Sequence, residues 1–249
     1  MYGVQISRGA GKRAWAQVSA RWSPEILALL ADEQVDALTL GVSSQVAARR
    51  ALDGLIALPS LEVLQIEWTR VPGIPVSTLG QVRELAVSGN SGERLRSRDL
   101  RRVEVLEIRP GRVAGSLAEA PNLEVVATRG VPSNGFRVFD GCNKLRRVTV
   151  LGRGVVEMNW AVRPPCISSI LLSGVAVDSL EGLEGLSGLN DVTLESGRAA
   201  ADIALDLTPM LHVPNLRVFA ASGYARYVGA DELRGTIERV ILGRASRKS

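Results

Sequence analysis

LRRVTV at 145–150, ISSILL at 167–172 and LNDVTL at 189–194 repeat one pattern at intervals of 22 residues. Each stretch places an aliphatic residue at its first, fourth and sixth positions, so the phrase is L-x-x-L-x-L with Val, Ile or Phe allowed for Leu. Working outward, the same phrase recurs as Val35/Leu38/Leu40, Leu61/Leu64/Ile66, Val82/Leu85/Val87, Val103/Leu106/Ile108 and Leu123/Val126/Thr128 before these three. It returns as Leu216/Phe219/Ala221 and Ile237/Val240/Leu242 after them. First residues are separated by 26, 21, 21, 20, 22, 22, 22, 27 and 21 positions. A copy this short cannot bury its own apolar face and needs a neighbour on each side, which is how a stacked solenoid arises.

Strand side chains alternate between faces, so the fourth and sixth residues of a phrase point together and the residues between them point oppositely. Stacked copies therefore predict a parallel sheet. The return path is clearest where Val177, Leu180, Leu183, Leu186 and Leu189 recur at strict threes, a spacing that suits 3-10 turns better than an α-helix. Ser44 to Leu58 has the length and spacing of a true helix, stopped by Pro59. Ahead of the first phrase, Val4/Ile6 and Ala14/Ala16/Val18 alternate around Gly9-Ala10-Gly11 and predict a hairpin. Ser23, Pro24 and Glu25 then read as N-cap, first helical residue and dipole-favoured acid of a helix. The expected organisation is a hairpin–helix cap over 1–34, repeats over 35–243 and a disordered basic tail over 244–249.

On these phrases the chain resembles the leucine-rich repeat family from about 35 to 242, together with the descending motifs Leu58-Pro-Ser-Leu61, Ala120-Pro-Asn-Leu123 and Val213-Pro-Asn-Leu216. The resemblance implies an α/β solenoid: a horseshoe of ten repeats with a parallel concave sheet and short 3-10 or helical convex segments. It also implies binding on the concave face. The chain departs from the family at the ninth position of the repeat. Only Asn90 matches there, and Thr69, Gly111, Val131, Arg153, Val175, Gly197 and Tyr224 stand elsewhere. Ascending turns without an asparagine ladder must satisfy their backbone locally.

Hydrophobic residues are 46% of the 249 and aromatics 4%, so aliphatic side chains must fill the layers. Net charge is +4, and of 30 basic residues only Lys12, Lys144 and Lys248 are lysine, a skew pointing to a GC-rich, most simply bacterial, genome. No apolar run approaches the roughly 20 residues of a membrane span and no secretory signal opens the chain, so a cytoplasmic protein with free Cys142 and Cys166 is expected.

Catalytic inventory is thin. The single histidine, His212, precedes Val213-Pro214 with no nucleophile or acid at a recognised spacing, which favours a turn role. Gly11-Lys12 fails as a phosphate loop, because Ile6 replaces the required glycine and Arg13 the magnesium-binding hydroxyl. No enzyme, cofactor, metal site or small-molecule substrate is expected.

Binding is better supported. The outward column at the fifth position reads Thr39, Gln65, Ala86, Glu107, Ala127, Thr149, Leu171, Thr193, Ala220 and Ile241. At the seventh position it reads Gly41, Glu67, Ser88, Arg109, Arg129, Leu151, Ser173, Glu195, Ser222 and Gly243. Adjacent strands would bring Arg109 and Arg129 within about 5 Å, where Glu107 could answer their charge. The five positions after each phrase hold nine arginines (Arg70, Arg109, Arg112, Arg129, Arg153, Arg198, Arg226, Arg244, Arg247) against Glu67 and Glu195, which predicts a basic edge. Ordinary solvated turns in an arginine-rich chain are the competing explanation. The candidate partner-binding set is Gln65, Glu67, Trp68, Glu107, Arg109, Arg129, Arg147 and Arg153. It suits a non-catalytic scaffold that grips an acidic protein surface, in its sharper form an inhibitor or immunity-type protein. The alternative is nucleic-acid binding along the arginine edge, which needs stacking aromatics; Trp68, Trp160, Tyr224 and Tyr227 fall near that edge but in separate copies, where each reads more readily as an anchor into its own layer. No membrane partner is expected.

Overall fold

Leu38, Leu64, Leu85 and Leu106 stand opposite one another on four successive parallel strands of the computed structural model, and Leu40, Ile66, Val87 and Ile108 do the same two residues on. All eight are at most 3% exposed. The period of two is thus realised as one buried column pair. Burying each such side chain favours folding by roughly 1.5–3 kcal/mol, which four-residue strands can achieve only side by side.

The structure describes residues 3–8, 13–19, 22–41, 45–67, 70–71, 73–89, 91–92, 94–109, 113–114, 116–198 and 200–244. Two compact units are present, residues 1–115 with 119–123 and residues 116–118 with 124–249. Twelve strands lie in mostly parallel sheet, six in each unit, and helices are few and short.

In the first unit β1 (Val4–Arg8) runs antiparallel to β2 (Ala14–Val18), as the hairpin reading expects; its Gly9-Ala10-Gly11 turn lies outside the described residues. Helix α1 (Pro24–Asp32) follows, capped by Ser23, whose hydroxyl accepts from the Ile26 amide at 3.4 Å. The chain then adds β3 (Ala37–Leu40), α2 (Gln45–Gly54), β4 (Val63–Ile66), β5 (Arg70–Val71), α3 (Val76–Leu79), β6 (Glu84–Val87), β7 (Ser91–Gly92), β8 (Leu95–Arg96), β9 (Val105–Ile108) and β10 (Val113–Ala114). The order β1-β2-β3-β4-β6-β9 forms the sheet, and β5 with β7 and β8 with β10 are short parallel pairs beyond it. The α-helix expected over 44–58 is shorter. It ends at Gly54 and tightens into a 3-10 turn over Leu55–Ala57, where Leu55 is buried and Ile56 is exposed.

The second unit contains β11 (Val125–Arg129), β12 (Arg147–Val155), β13 (Ser169–Ala176), β14 (Asp191–Glu195), β15 (Ala204–Asp206), β16 (Val218–Tyr224), β17 (Arg226–Val228), α4 (Ala230–Thr236) and β18 (Arg239–Arg244). Its sheet order is β11-β12-β13-β14-β16-β18, all parallel, with β15 and β17 paired separately. Val148, Ile170, Val192 and Phe219 form the inner column here, each fully buried. Val177, Leu180, Leu183, Leu186 and Leu189 are buried as the spacing of three requires, around a 3-10 turn at Glu181–Leu183. At the last strand burial weakens. Val240 and Leu242 are half-buried where earlier copies are fully covered, and residues 245–249 of the expected basic tail lie outside the described residues.

Two side-chain devices tie copies together. Asn122 Nδ2 donates to the Arg101 carbonyl at 2.7 Å in the first unit, and Asn215 Nδ2 donates to the Ser187 carbonyl at 2.6 Å in the second. These are the asparagines of the two Pro-Asn-Leu motifs, so amide satisfaction sits at the turns entering the strands. A charge ladder follows the second position of the phrase: Arg83 approaches Glu62 at 3.9 Å and Glu104 at 3.7 Å, and Arg217 meets Glu238 at 2.9 Å. Exposed pairs like these contribute at most about 1 kcal/mol each, and opposed signs in register mainly avoid repulsion.

Candidate functional site

Fifth-position residues alternate out of the core because their neighbours go in. Gln65, Ala86 and Glu107 are register partners on β4, β6 and β9, and each is half-buried. Thr39 Oγ1 donates to Gln65 Oε1 at 3.4 Å, and Gln65 Nε2 donates to Glu67 Oε1 at 2.9 Å. Gln65 therefore relays between strands, and Glu67 is held by its neighbour while remaining exposed. Arg109 is half-buried and its Nε donates to the Ser88 carbonyl at 3.1 Å. That bond fixes the guanidinium at the strand exit with its remaining donors available for an acidic group. Trp68 lies outside the described residues.

Arg109 belongs to the first unit and Arg129 to the second. In the second unit Arg129 and Arg147 are exposed on neighbouring strands, Arg129 opposite Leu151 and Arg147 opposite Val125. They occupy the two ends of that face, about 13 Å apart along the strand direction. Thr149 is in register with Ala127 between them and with Leu171 on the next strand, all three half-buried. Arg153 is exposed within β12, at the irregularity where the pairing with β13 shifts between Leu151 and Gly154 before it resumes. Arg198 and Arg226 are exposed on their own exits. Of the other counted arginines, Arg112 and Arg247 lie outside the described residues, as do the side chains of Arg70 and Arg244.

Aromatic residues near the exits are packed inward. Tyr224 is fully buried at its ninth position, and its hydroxyl accepts from the Val177 amide at 3.1 Å. Tyr227 reaches the Gly243 and Ala221 carbonyls at 2.7 and 3.0 Å, and burial pushes its phenol up to about 12. Trp160 packs edge-on against Phe136 at 4.8 Å between ring centroids. Rings committed to their own layers make a poor stacking platform for bases.

A column of glycines at the eighth position escaped the sequence reading. Gly130, Gly152, Gly174 and Gly223 occupy it, and a Cβ on Gly174, at φ +76°, would collide with the Gly152 carbonyl oxygen. The signal was present as glycine two residues after the sixth-position aliphatic. It became meaningful only when successive exits were seen to touch.

His212 is exposed on a 3-10 turn, and Cys142 is buried while Cys166 is exposed, both as free thiols. Burial pushes the Cys142 thiol up to about 12, the opposite of nucleophile activation. Among the described residues no three His, Cys, Asp or Glu side chains are grouped to hold a metal ion, and no helix is long and apolar enough to cross a membrane.

No protein-family model matches the chain, and no curated protein matches it.

Proposed function

We propose that the protein is a non-catalytic binding scaffold of the leucine-rich repeat type, a solenoid whose outward sheet face and basic strand exits grip an acidic protein surface. The observation that carries this reading is the in-register outward column. Residues such as Gln65, Ala86 and Glu107 in the first unit, and Thr149, Leu171 and Thr193 in the second, stay half-accessible beside fully buried neighbours. A face fixed by backbone pairing loses little entropy when a partner docks. Exposed Arg129, Arg147, Arg153 and Arg198 supply charge complementarity, which contributes mostly to on-rate and specificity. The sharper form of the proposal is an inhibitor or immunity-type protein acting in a bacterial cytoplasm.

Capture from lysate of the native host, with and without nuclease, tests the proposal. The expected result is one stoichiometric protein that survives nuclease and has an acidic contact surface. Recovery of nucleic acid alone, or of proteins lost on nuclease treatment, would replace the proposal with binding along the arginine edge, whose affinity would fall steeply with salt.

A further inference from the structure

We propose that the groove at the exits of β12, β13 and β14 binds a phosphate monoester, with the dianion held between Arg153 and Arg198. The groove encloses about 660 Å³ and lies wholly within the second unit, with Gly152, Gly174 and Gly197 on its wall beside the two arginines and Val155. Its space comes from the backbone. Pairing between β12 and β13 lapses after Leu151, so Gly152 and Arg153 leave the ladder, and the lining glycines carry no side chains to fill the gap. Gly154, Gly174 and Gly197 have φ of 119°, 76° and 58°, conformations that a side chain would strain.

Charge selects the ligand class. Arg153 and Arg198 are both exposed, and neither is ion-paired among the described residues. Arg217, by contrast, is tied to Glu238 and Arg146 approaches Glu124 at 3.9 Å. The nearby Glu157 is engaged by Asn159 Nδ2 at 2.8 Å, and Glu195 sits on the outward sheet face in register with Ser173 and Ser222. Two planar guanidinium forks match the three terminal oxygens and double charge of a phosphate monoester better than the single charge of a carboxylate. The groove is larger than the anion, and the half-exposed Val155 provides an apolar wall for the organic part of the ester. Such a ligand is bound without being turned over. The inference shares Arg153 and Arg198 with the basic exits of the scaffold reading, and its test is separate because small phosphate esters are titrated with no protein partner present.

The test is calorimetric titration of the intact chain with phenyl phosphate and with a short peptide carrying one phosphoserine, each against its unphosphorylated counterpart. Phosphate-dependent binding of phenyl phosphate is expected if the ester is a free small molecule. Binding of the phosphopeptide alone is expected if the ester is a modified side chain, and either result supports the site. Arg153→Ser and Arg198→Ser, both at exposed positions, should each weaken binding about tenfold or more with unchanged circular dichroism. Arg198→Lys keeps the charge and removes the fork, so its affinity should fall between those of the serine variant and the native chain. No phosphate-dependent binding of either probe, or binding undiminished when both arginines are serine, would overturn the proposal.

Discussion

The hydroxyl of Tyr224 accepts a hydrogen bond from the Val177 amide 47 residues earlier, at 3.1 Å and with the tyrosine fully buried. At the ninth position of its phrase, one tyrosine satisfies backbone in an earlier copy of the same unit. A phenol long enough to cross that distance does locally what a ladder of asparagines would do copy by copy.

Tyr224→Phe removes only that oxygen. Leaving the buried Val177 amide unsatisfied should cost about 1–3 kcal/mol, measured as a lower midpoint of urea unfolding with an unchanged slope. A midpoint equal to that of the native chain would show that the bond contributes nothing net.

Gly174→Ala tests the glycine column. Its Cβ would meet the Gly152 carbonyl at a positive φ, so backbone must move, and the variant should lose several degrees of melting temperature or fail to fold. Gly197→Ala has open space around its Cβ and carries only the strain of φ +58°, so it should be milder in the same thermal melt.

Thiol labelling separates the cysteines. Cys166 is exposed and should react promptly with a thiol reagent at pH 8, while buried Cys142, pushed up to about 12 by desolvation and then by Asp140, should react only after unfolding. Stability has a linked pH dependence. The Cys142 thiol and the Tyr227 phenol hold their protons more tightly folded than unfolded, so their contribution is complete below pH about 9 and is lost as pH rises toward 12. Melting temperature should therefore fall between pH 9 and 11. Cys142→Ser would leave the Tyr227 part of that fall in place.

Arg109→Glu and Arg129→Glu, made singly because the two residues lie in different units, test the partner surface. Each should weaken binding of an acidic partner tenfold or more with folding intact, and the loss should shrink as salt is raised. Equal affinity in both variants would remove the strand exits from the proposed interface. Arg109→Glu also gives up its bond to the Ser88 carbonyl, so urea unfolding must accompany the affinity measurement.

Much of the architecture was legible because it follows from local alternation. Residues at the fourth and sixth positions share one face of a strand, and in all ten phrases those two positions lie in a strand. The aliphatic residues at threes from 177 to 189 likewise suit short turns better than an α-helix, which would have spread them around its circumference, and a 3-10 turn at Glu181–Leu183 lies among them. Candidate site residues were less legible. Gln65, a candidate contact residue, is engaged by Thr39 and Glu67, while Tyr224 and Tyr227 are bonded into the layers, the anchor role that the sequence favoured for them.

What the chain determined by itself is each copy's two-sided character, because the period of side-chain direction is a property of the backbone and needs no neighbour. Tertiary structure alone decided which exits pair and which open. The lapse after Leu151, the glycine contacts at Gly152 and Gly174 and the groove beside Arg153 and Arg198 all depend on distances between residues about 20 or more apart in sequence, where only packing of one copy on the next sets the separation.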